Sequence, residues 1–227
     1  MLLDRLAAGP RLGSPAAVLE ELRRVILDGG APPGTPIPVT DLAQLLGVSP
    51  IPVREALKTL VGENLVQHRP NIGYVVAQLT RAELREIYVV RGVLEGAALR
   101  AAVLEATPDD VGVASAAHSA LSEAIAVADP RAYHVHSRAF HLALIGPCRM
   151  RRLMRMFEAA WNVTEPFQPM RYVSGEDRRL LHEDHAEMLA AFASGDAERL
   201  VDCAAVHHKR LEGVIGRLPD DAGLLVD

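Results

Sequence analysis

The sequence is poor in aromatic residues and in cysteines. Aromatic side chains make up 4% of its 227 residues, whereas hydrophobic residues make up 49%. The core must therefore be built mainly from Leu, Ala and Val, which favours helical packing over a β-sandwich. Cys148 and Cys203 are isolated from each other and form no metal-binding or redox motif, so we expect a reduced, cytoplasmic setting.

Long apolar runs and an excess of basic charge are also lacking. No run of about 18 apolar residues occurs, so we expect no membrane span and no membrane partner. The net charge of −5 argues against a protein that binds nucleic acid through general basic charge. Residues 1–80 carry seven basic and seven acidic side chains, so the negative excess belongs to the remainder. This asymmetry indicates two modules, which we place at residues 1–78 and 79–227.

Short helices and a hairpin are predicted in the first module. Ser14-Pro15 is typical of a helix start, and the apolar spacing predicts a helix over 14–28. The segment 29–38 is a loop by composition, and a short helix over Thr40–Leu46 ends at Gly47. A second helix then runs to about residues 62–63, and residues 65–76 are typical of a hairpin. This order predicts a winged helix-turn-helix.

The start of the second helix is unusual because it contains two prolines, Pro50 and Pro52. Proline costs little there, since the first amides of a helix have no intrahelical partner. The prolines give the stiff, narrow, apolar end that a recognition helix inserts into the major groove. Arg54 would then reach a base edge or a phosphate, and Lys58 a phosphate. The alternative is a generic helical hairpin in which Arg54 pairs with solvent or with Glu55.

The tip of the predicted hairpin supports DNA binding. Asn71 and Gly73 are residue types that tolerate positive φ in a turn. His68 and Arg69 would lie near a minor groove or phosphates. A plain turn without a DNA contact is the alternative, and the two interpretations are compatible.

The stretch "LRRVILDGG…PPGTPI…DLAQLLGVSPIPVREALKTLVGENLVQHRPNIGYVV" resembles the DNA-binding domain of GntR-type bacterial repressors over residues 15–76. The resemblance implies that Arg54 contacts the operator and that wing residues touch the minor groove. Many relatives carry a basic residue where this chain has Pro50. The predicted DNA-contacting residues are Ser49, Pro50, Ile51, Arg54, Lys58, Arg69, Asn71 and Gly73.

From Thr80 the pattern stays helical. Short breaks separate six predicted helices, over 81–105, 108–127, 130–145, 149–165, 175–193 and 197–217. Six helices with short connections predict an antiparallel bundle. The fold class is therefore mainly α, with an N-terminal winged helix-turn-helix followed by an all-α antiparallel bundle.

Three histidines of this bundle, His141, His185 and His207, lie on three different predicted helices. The interval from His185 to His207 is one helix, a turn and most of the way back, so antiparallel neighbours would bring both to a similar depth. Three imidazoles that meet inside a bundle would suit Zn²⁺ or a similar metal. The residues alone favour the alternative of separate exposed or hydrogen-bonded histidines, since His134, His136, His182 and His208 lie nearby.

The segments "REIYVVRGVLEGAALRAA", "SRAFHLAL" and "HEDHAEMLAAFASGDAERLVDCAAVHHKRL" resemble the all-helical effector domain of the FadR-type, FCD branch over about residues 80–215. The resemblance implies a divalent metal (Zn, Ni or Mn) held by His141, His185 and His207. Ser137 stands where the family usually has Asp or Asn.

The resemblance also implies an effector pocket. Arg91 and Glu95 match the family's "R…lE" motif, in which Arg91 would bind a carboxylate effector, and Asn162 is a second candidate contact. The alternative for Arg91 and Glu95 is an i, i+4 pair on the helix surface.

Together these features predict a ligand-responsive transcriptional regulator and not an enzyme. We expect a homodimer that binds a palindromic operator, represses transcription and responds to a small metabolite, most simply a carboxylate. Two alternatives remain open at this point: a metal-dependent helical-bundle enzyme, or a direct metal sensor without an organic ligand.

Overall fold

The structure is a computed structural model that describes residues 2–7, 14–217 and 225–226. The described residues form two units. One contains the chain up to Ala82 together with Trp161–Phe167 and the strand at 225–226, and the other contains Glu83–Ala160 and the residues from Gln168 to 217. Helix α8 thus contributes residues to both units. Among these residues, no helix is long and apolar enough to cross a membrane.

Four helices build the first unit: α1 (Leu2–Ala7), α2 (Pro15–Leu27), α3 (Val39–Leu46) and α4 (Pro50–Gly62). The Ser14 hydroxyl caps α2 by accepting a hydrogen bond of 3.2 Å from the Ala17 amide. Gly47 ends α3 with a φ of 69°, as its sequence position predicts. Helix α1 was not predicted, although Leu2 and Leu6 are spaced one turn apart and both are buried in the core of this unit.

A small sheet completes the first unit. Strands β2 (Val66–Arg69) and β3 (Gly73–Val76) pair antiparallel as the predicted hairpin. Its tip uses positive φ at Asn71 (64°) and Gly73 (94°). Helix, turn, helix and hairpin follow in the order of a winged helix-turn-helix, which confirms the predicted fold class.

The prediction that 29–38 is entirely a loop is wrong. Pro36–Ile37 forms a short strand, β1, that pairs antiparallel with β3. Proline is tolerated at a sheet edge because no partner requires its missing N–H there, and Ile37 is buried in the core. Two-residue strands β4 (Leu79–Thr80) and β5 (Leu225–Val226) pair in parallel.

Six long helices carry the remainder of the chain, in agreement with the predicted number and order. They are α5 (Arg81–Glu105), α6 (Pro108–Ala126), α7 (Pro130–Ile145), α8 (Arg151–Thr164), α9 (Gly175–Ser194) and α10 (Ala197–Ile215). Short 3-10 helices at Gly146–Cys148, Glu165–Phe167 and Pro169–Arg171 occupy two of the breaks. Helix α8 begins two residues later than predicted because Arg149 has a φ of 56°.

Side-chain caps fix where these helices begin. Thr107 and Asp110 form a reciprocal capping box at α6. Asp129 accepts from two amides of α7, and Asp196 accepts from the Arg199 amide at α10, as its position predicts. The pairs α6–α7 and α9–α10 each pack as a hairpin of successive helices, and α6 also packs on α9. This arrangement brings α7, α9 and α10 together.

Candidate metal centre and nucleic-acid interface

The structure brings His141, His185 and His207 together from helices α7, α9 and α10. One ring nitrogen from each lies within 4.8 Å of the others. Their ring centroids are 4.5 to 5.2 Å apart, and the three residues are only 1–2% exposed. His185 and His207 reach similar depths because α9 and α10 form a hairpin. This donor set could hold a metal ion, since three imidazoles are a recurrent set of zinc ligands.

Burial favours the neutral form, which a metal needs, at two of the three imidazoles, those of His185 and His207. Desolvation lowers the pKa of His185 well below its ordinary value, and the neighbouring histidines lower it further. Desolvation also lowers the pKa of His207 to about 4, although Asp184 acts in the opposite direction. Within the described residues, neither ring nitrogen of His185 has a hydrogen-bond partner. An unsatisfied buried polar atom costs about 1–3 kcal/mol, which metal coordination would offset.

Two of the three imidazoles have a carboxylate beside them. Nδ1 of His141 lies 2.5 Å from Oε1 of Glu95, and Oε2 of Glu95 lies 2.7 Å from Nε2 of His208. Nδ1 of His207 lies 3.6 Å from Asp184, beyond a good hydrogen bond. Burial alone would raise the pKa of Glu95, but His141 and His208 lower it well below its ordinary value. Carboxylates behind metal-binding imidazoles orient the rings and increase their basicity.

Arg91 and Glu95 do not form a pair on the helix surface, so that interpretation of the "R…lE" motif is wrong. Arg91 is 2% exposed and Glu95 is fully buried. The Arg91 guanidinium lies 4.7 Å from the ring centroid of Tyr88, and Glu95 bonds to His141 and His208 instead. The sequence did not predict the hydrogen bonds that Glu95 makes to His141 and His208. The i, i+4 spacing of Arg91 and Glu95 and the adjacent pair His207-His208 give no information about partners on other helices.

The remaining residues predicted near this centre occupy different surroundings. Ser137 is buried on α7, one turn before His141. His182 stacks on His118 with ring centroids 4.3 Å apart, and its own ring lies 6.3 Å from that of His185. Asn162 is half-buried on the part of α8 that belongs to the first unit. The proposed effector contact at Asn162 therefore stays a prediction.

Helix α4 presents two different sides. Its apolar side, formed by Val53, Ala56, Leu57 and Leu60, is buried. The leading end and the opposite side are exposed, and they carry four of the predicted DNA contacts: Pro50, Ile51, Arg54 and Lys58. Ile51, at the leading end, is 66% exposed.

Ser49 occupies the N-cap position of α4 as predicted, but among the described residues its hydroxyl makes no capping hydrogen bond. The third helical residue, whose amide an N-cap side chain commonly engages, is Pro52, which has no N–H. The Ser49 side chain is exposed instead. Of the predicted wing residues, Asn71 is exposed, while Arg69 and Gly73 are half-buried.

Known proteins resemble this chain over most of its length. The family model for the FCD domain matches residues 86–210, and that for bacterial regulatory proteins of the gntR family matches residues 16–76. The HTH-type transcriptional regulator McbR of Escherichia coli (strain K12) is 30% identical over 190 residues, which cover 83% of this chain and 86% of that protein.

Two further similarities agree with these matches. The "Probable D-xylose utilization operon transcriptional repressor" of Paenarthrobacter nicotinovorans is 30% identical over 186 residues, covering 81% of this chain and 80% of that protein. The solved structure of E. coli McbR/YncC superimposes with a TM-score of 0.76 at 27% identity, over 90% of this chain and 98% of that one.

The lowered pKa values of His185 and His207 predict that the metal-free protein loses stability as the pH falls from about 6.5 towards 4. The unfolded chain takes up protons below the ordinary imidazole pKa of 6.5, whereas folded His207 stays neutral down to about 4. Acid therefore favours the unfolded state. Urea unfolding of chelator-treated protein at several pH values measures this loss.

His207→Asn supplies the control for this titration. Replacing an imidazole that stays neutral in the folded protein should reduce the slope of unfolding free energy against pH by up to about one proton, or ~1.4 kcal/mol per pH unit. Equal slopes for the variant and the wild type between pH 4.5 and 6 would contradict the assignment.

Proposed function

We propose a mechanism that starts from one established fact: the chain belongs to the gntR family of bacterial regulatory proteins and carries an FCD domain. It is a DNA-binding transcriptional regulator, and its relatives are named as regulators rather than enzymes, which sets the metalloenzyme alternative aside. Repression is the action that we propose, since the Paenarthrobacter relative is named a repressor.

We propose that residues 1–78 bind DNA and that residues 79–227 bind the effector. The two family matches support it, because one ends at residue 76 and the other begins at residue 86. Trp161–Phe167 groups with the first unit although it lies in the second half of the chain. Helix α8, whose residues divide between the units at Ala160 and Trp161, is our candidate for transmitting the effector signal.

Operator recognition is proposed for the exposed end of α4, and the observation that carries it is the two-sided character of this helix. The buried stripe fixes the helix in the unit, so the opposite side is free to contact DNA. Pro50 and Ile51 would approach base edges and a thymine methyl, Arg54 a guanine or phosphate, and Lys58 a phosphate. Ser49 would contact the backbone, and Arg69, Asn71 and Gly73 of the wing would approach the minor groove.

Metal and effector binding are proposed for the second unit. The residues fit a divalent ion such as Zn²⁺, Ni²⁺ or Mn²⁺, because His185 has two unsatisfied buried nitrogens and the donors are neutral imidazoles. Three protein ligands leave room for a small carboxylate, and a bound metal would supply the cation for it. Arg91 is the proposed effector contact in this unit, since an arginine fork suits a carboxylate. Asn162 belongs to the first unit and stays a prediction from the sequence. An effector must bind one DNA-binding state better than the other in order to regulate.

A homodimer is proposed because a palindromic operator requires two recognition helices. Exposed valines on α5 are our candidate for the contact, namely Val89, Val90 and Val93, which are 50%, 44% and 69% exposed. Val89 and Val93 line a groove of about 470 Å³ between α5 and α10, whose lining is mainly apolar. Clustered exposed aliphatic residues of this kind mark protein interfaces.

Arg54→Ala should abolish specific operator binding without changing the fold, since the side chain is exposed. A lost guanine contact costs about 1–3 kcal/mol of discrimination. Lys58→Ala should instead weaken binding to all sequences alike and lower the salt slope by about 1. Titration of selected operator and random DNA at several salt concentrations measures both effects. Operator binding by Arg54→Ala at wild-type affinity would rule out the proposed docking.

His185→Ala removes a proposed direct ligand of the metal. It should therefore reduce metal affinity by more than the roughly 100-fold lost when a residue that only hydrogen-bonds to a ligand is replaced. Ser137→Asp should tighten binding by adding an anionic oxygen one turn before His141. Competition titration of metal-free protein with zinc measures both. His136→Ala is the control, since His136 is a half-buried histidine on α7 outside the triad. Unchanged affinity in His185→Ala would refute the site.

Val93→Asp should weaken the dimer, since it places a charge in the proposed contact. Leu104→Asp is the matched control, because Leu104 is 79% exposed on the same helix but about three turns away. Sedimentation velocity at micromolar concentration measures the assembly. A monomeric wild type would exclude the dimer, and a Val93→Asp dimer as stable as the wild type would exclude this surface.

A further inference from the structure

Glu95 connects the histidine triad to a fourth histidine through two hydrogen bonds. One carboxylate oxygen lies 2.5 Å from Nδ1 of His141 and the other lies 2.7 Å from Nε2 of His208. A carboxylate only accepts hydrogen bonds, so both imidazoles must donate. We propose that Glu95 is a positioning residue that makes His141 a metal ligand, because it fixes the proton on Nδ1 and leaves the Nε2 lone pair facing the triad. This inference rests on the metal site proposed above.

The negative charge of Glu95 gives this residue a second role in the site. Three imidazoles are neutral ligands, so a divalent cation would bring two positive charges into a buried place. Asp184 is 3.6 Å from His207, but it also bonds to the guanidinium of Arg210 at 2.7 Å, which already offsets its charge. Glu95 is 0% exposed and its partners are two imidazoles. Its negative charge therefore offsets that of the ion across the ring of His141.

Gly92 on α5 leaves room for the ring of His208 to reach Glu95. A Cβ atom at Gly92 would lie 3.2 Å from Cγ of His208, so any larger residue would press on that ring. Gly92 and Glu95 are three residues apart and therefore lie on the same side of α5. Because His208 occupies the second oxygen, the carboxylate is held from both sides and its orientation towards His141 is fixed.

Glu95→Gln tests this role with almost no change in side-chain size. Glutamine offers one acceptor oxygen and one NH₂ donor, so His141 and His208 cannot both donate to it. One imidazole must move its proton or lose its bond, and the negative charge is lost as well. We expect zinc affinity, measured by chelator competition, to fall about 10- to 100-fold. The control is Glu86→Gln on the exposed side of α5, which removes the same charge and should stay within about twofold of wild type.

Nitrogen NMR of the imidazole rings in metal-free wild-type protein gives a readout that needs neither metal nor a folded variant. We expect the proton of His141 on Nδ1 and that of His208 on Nε2. In Glu95→Gln one of these two rings should change its tautomer or lose its hydrogen bond to residue 95. A wild type that binds no zinc would refute the metal site, whereas the tautomers test Glu95 by itself. A proton on Nε2 of His141 in the wild type, or equal zinc affinities of wild type and Glu95→Gln, would overturn the proposal.

Discussion

Three buried imidazoles whose ring nitrogens lie close together set the constraint on which the second unit depends. His185 makes no hydrogen bond through either ring nitrogen to any described residue, and His141 and His207 lie against it. Each unsatisfied nitrogen costs about 1–3 kcal/mol, so an apolar side chain would be more stable at this position. The metal ion that we propose between the rings would offset this cost, and caps and helix packing hold the rings in place.

The supporting structure follows from this constraint. A ligand site is useful only if its side chains are held in place before the ligand arrives, since ordering them on binding would consume affinity. The caps at Asp129 and Asp196 fix the starts of α7 and α10, and the α9–α10 hairpin fixes the relative depth of His185 and His207. Glu95 then contributes from α5, which brings a fourth helix into the same network.

The sequence predicted most of the periodic structure and little of the polar network. Helices such as α5 and α7 were found within a residue because apolar spacing and caps are local signals. The hairpin interval placed His185 and His207 at a similar depth, but the residues alone favoured separate histidines. The family resemblance grouped all three. Strand β1 was missed because its pairing with β3 is a tertiary contact that overrides a proline-rich loop composition. The partners of Glu95 were missed for the same reason, since His141 and His208 are 46 and 113 residues away.

In the first unit, a single helix combines core packing with the proposed contact to DNA. Helix α4 packs in the unit by one side and exposes the other, where we propose the DNA contact. Its thirteen residues are enough for both because every third or fourth position is buried. The prolines at its start remove amides that a cap would otherwise satisfy, so Ser49 is not needed there and its hydroxyl is exposed. Regulation then needs only a modest coupling of about 1–3 kcal/mol between this surface and the effector site. Helix α8, whose residues divide between the two units, is the element that we propose for this coupling, because packed helices shift between discrete positions rather than deform continuously.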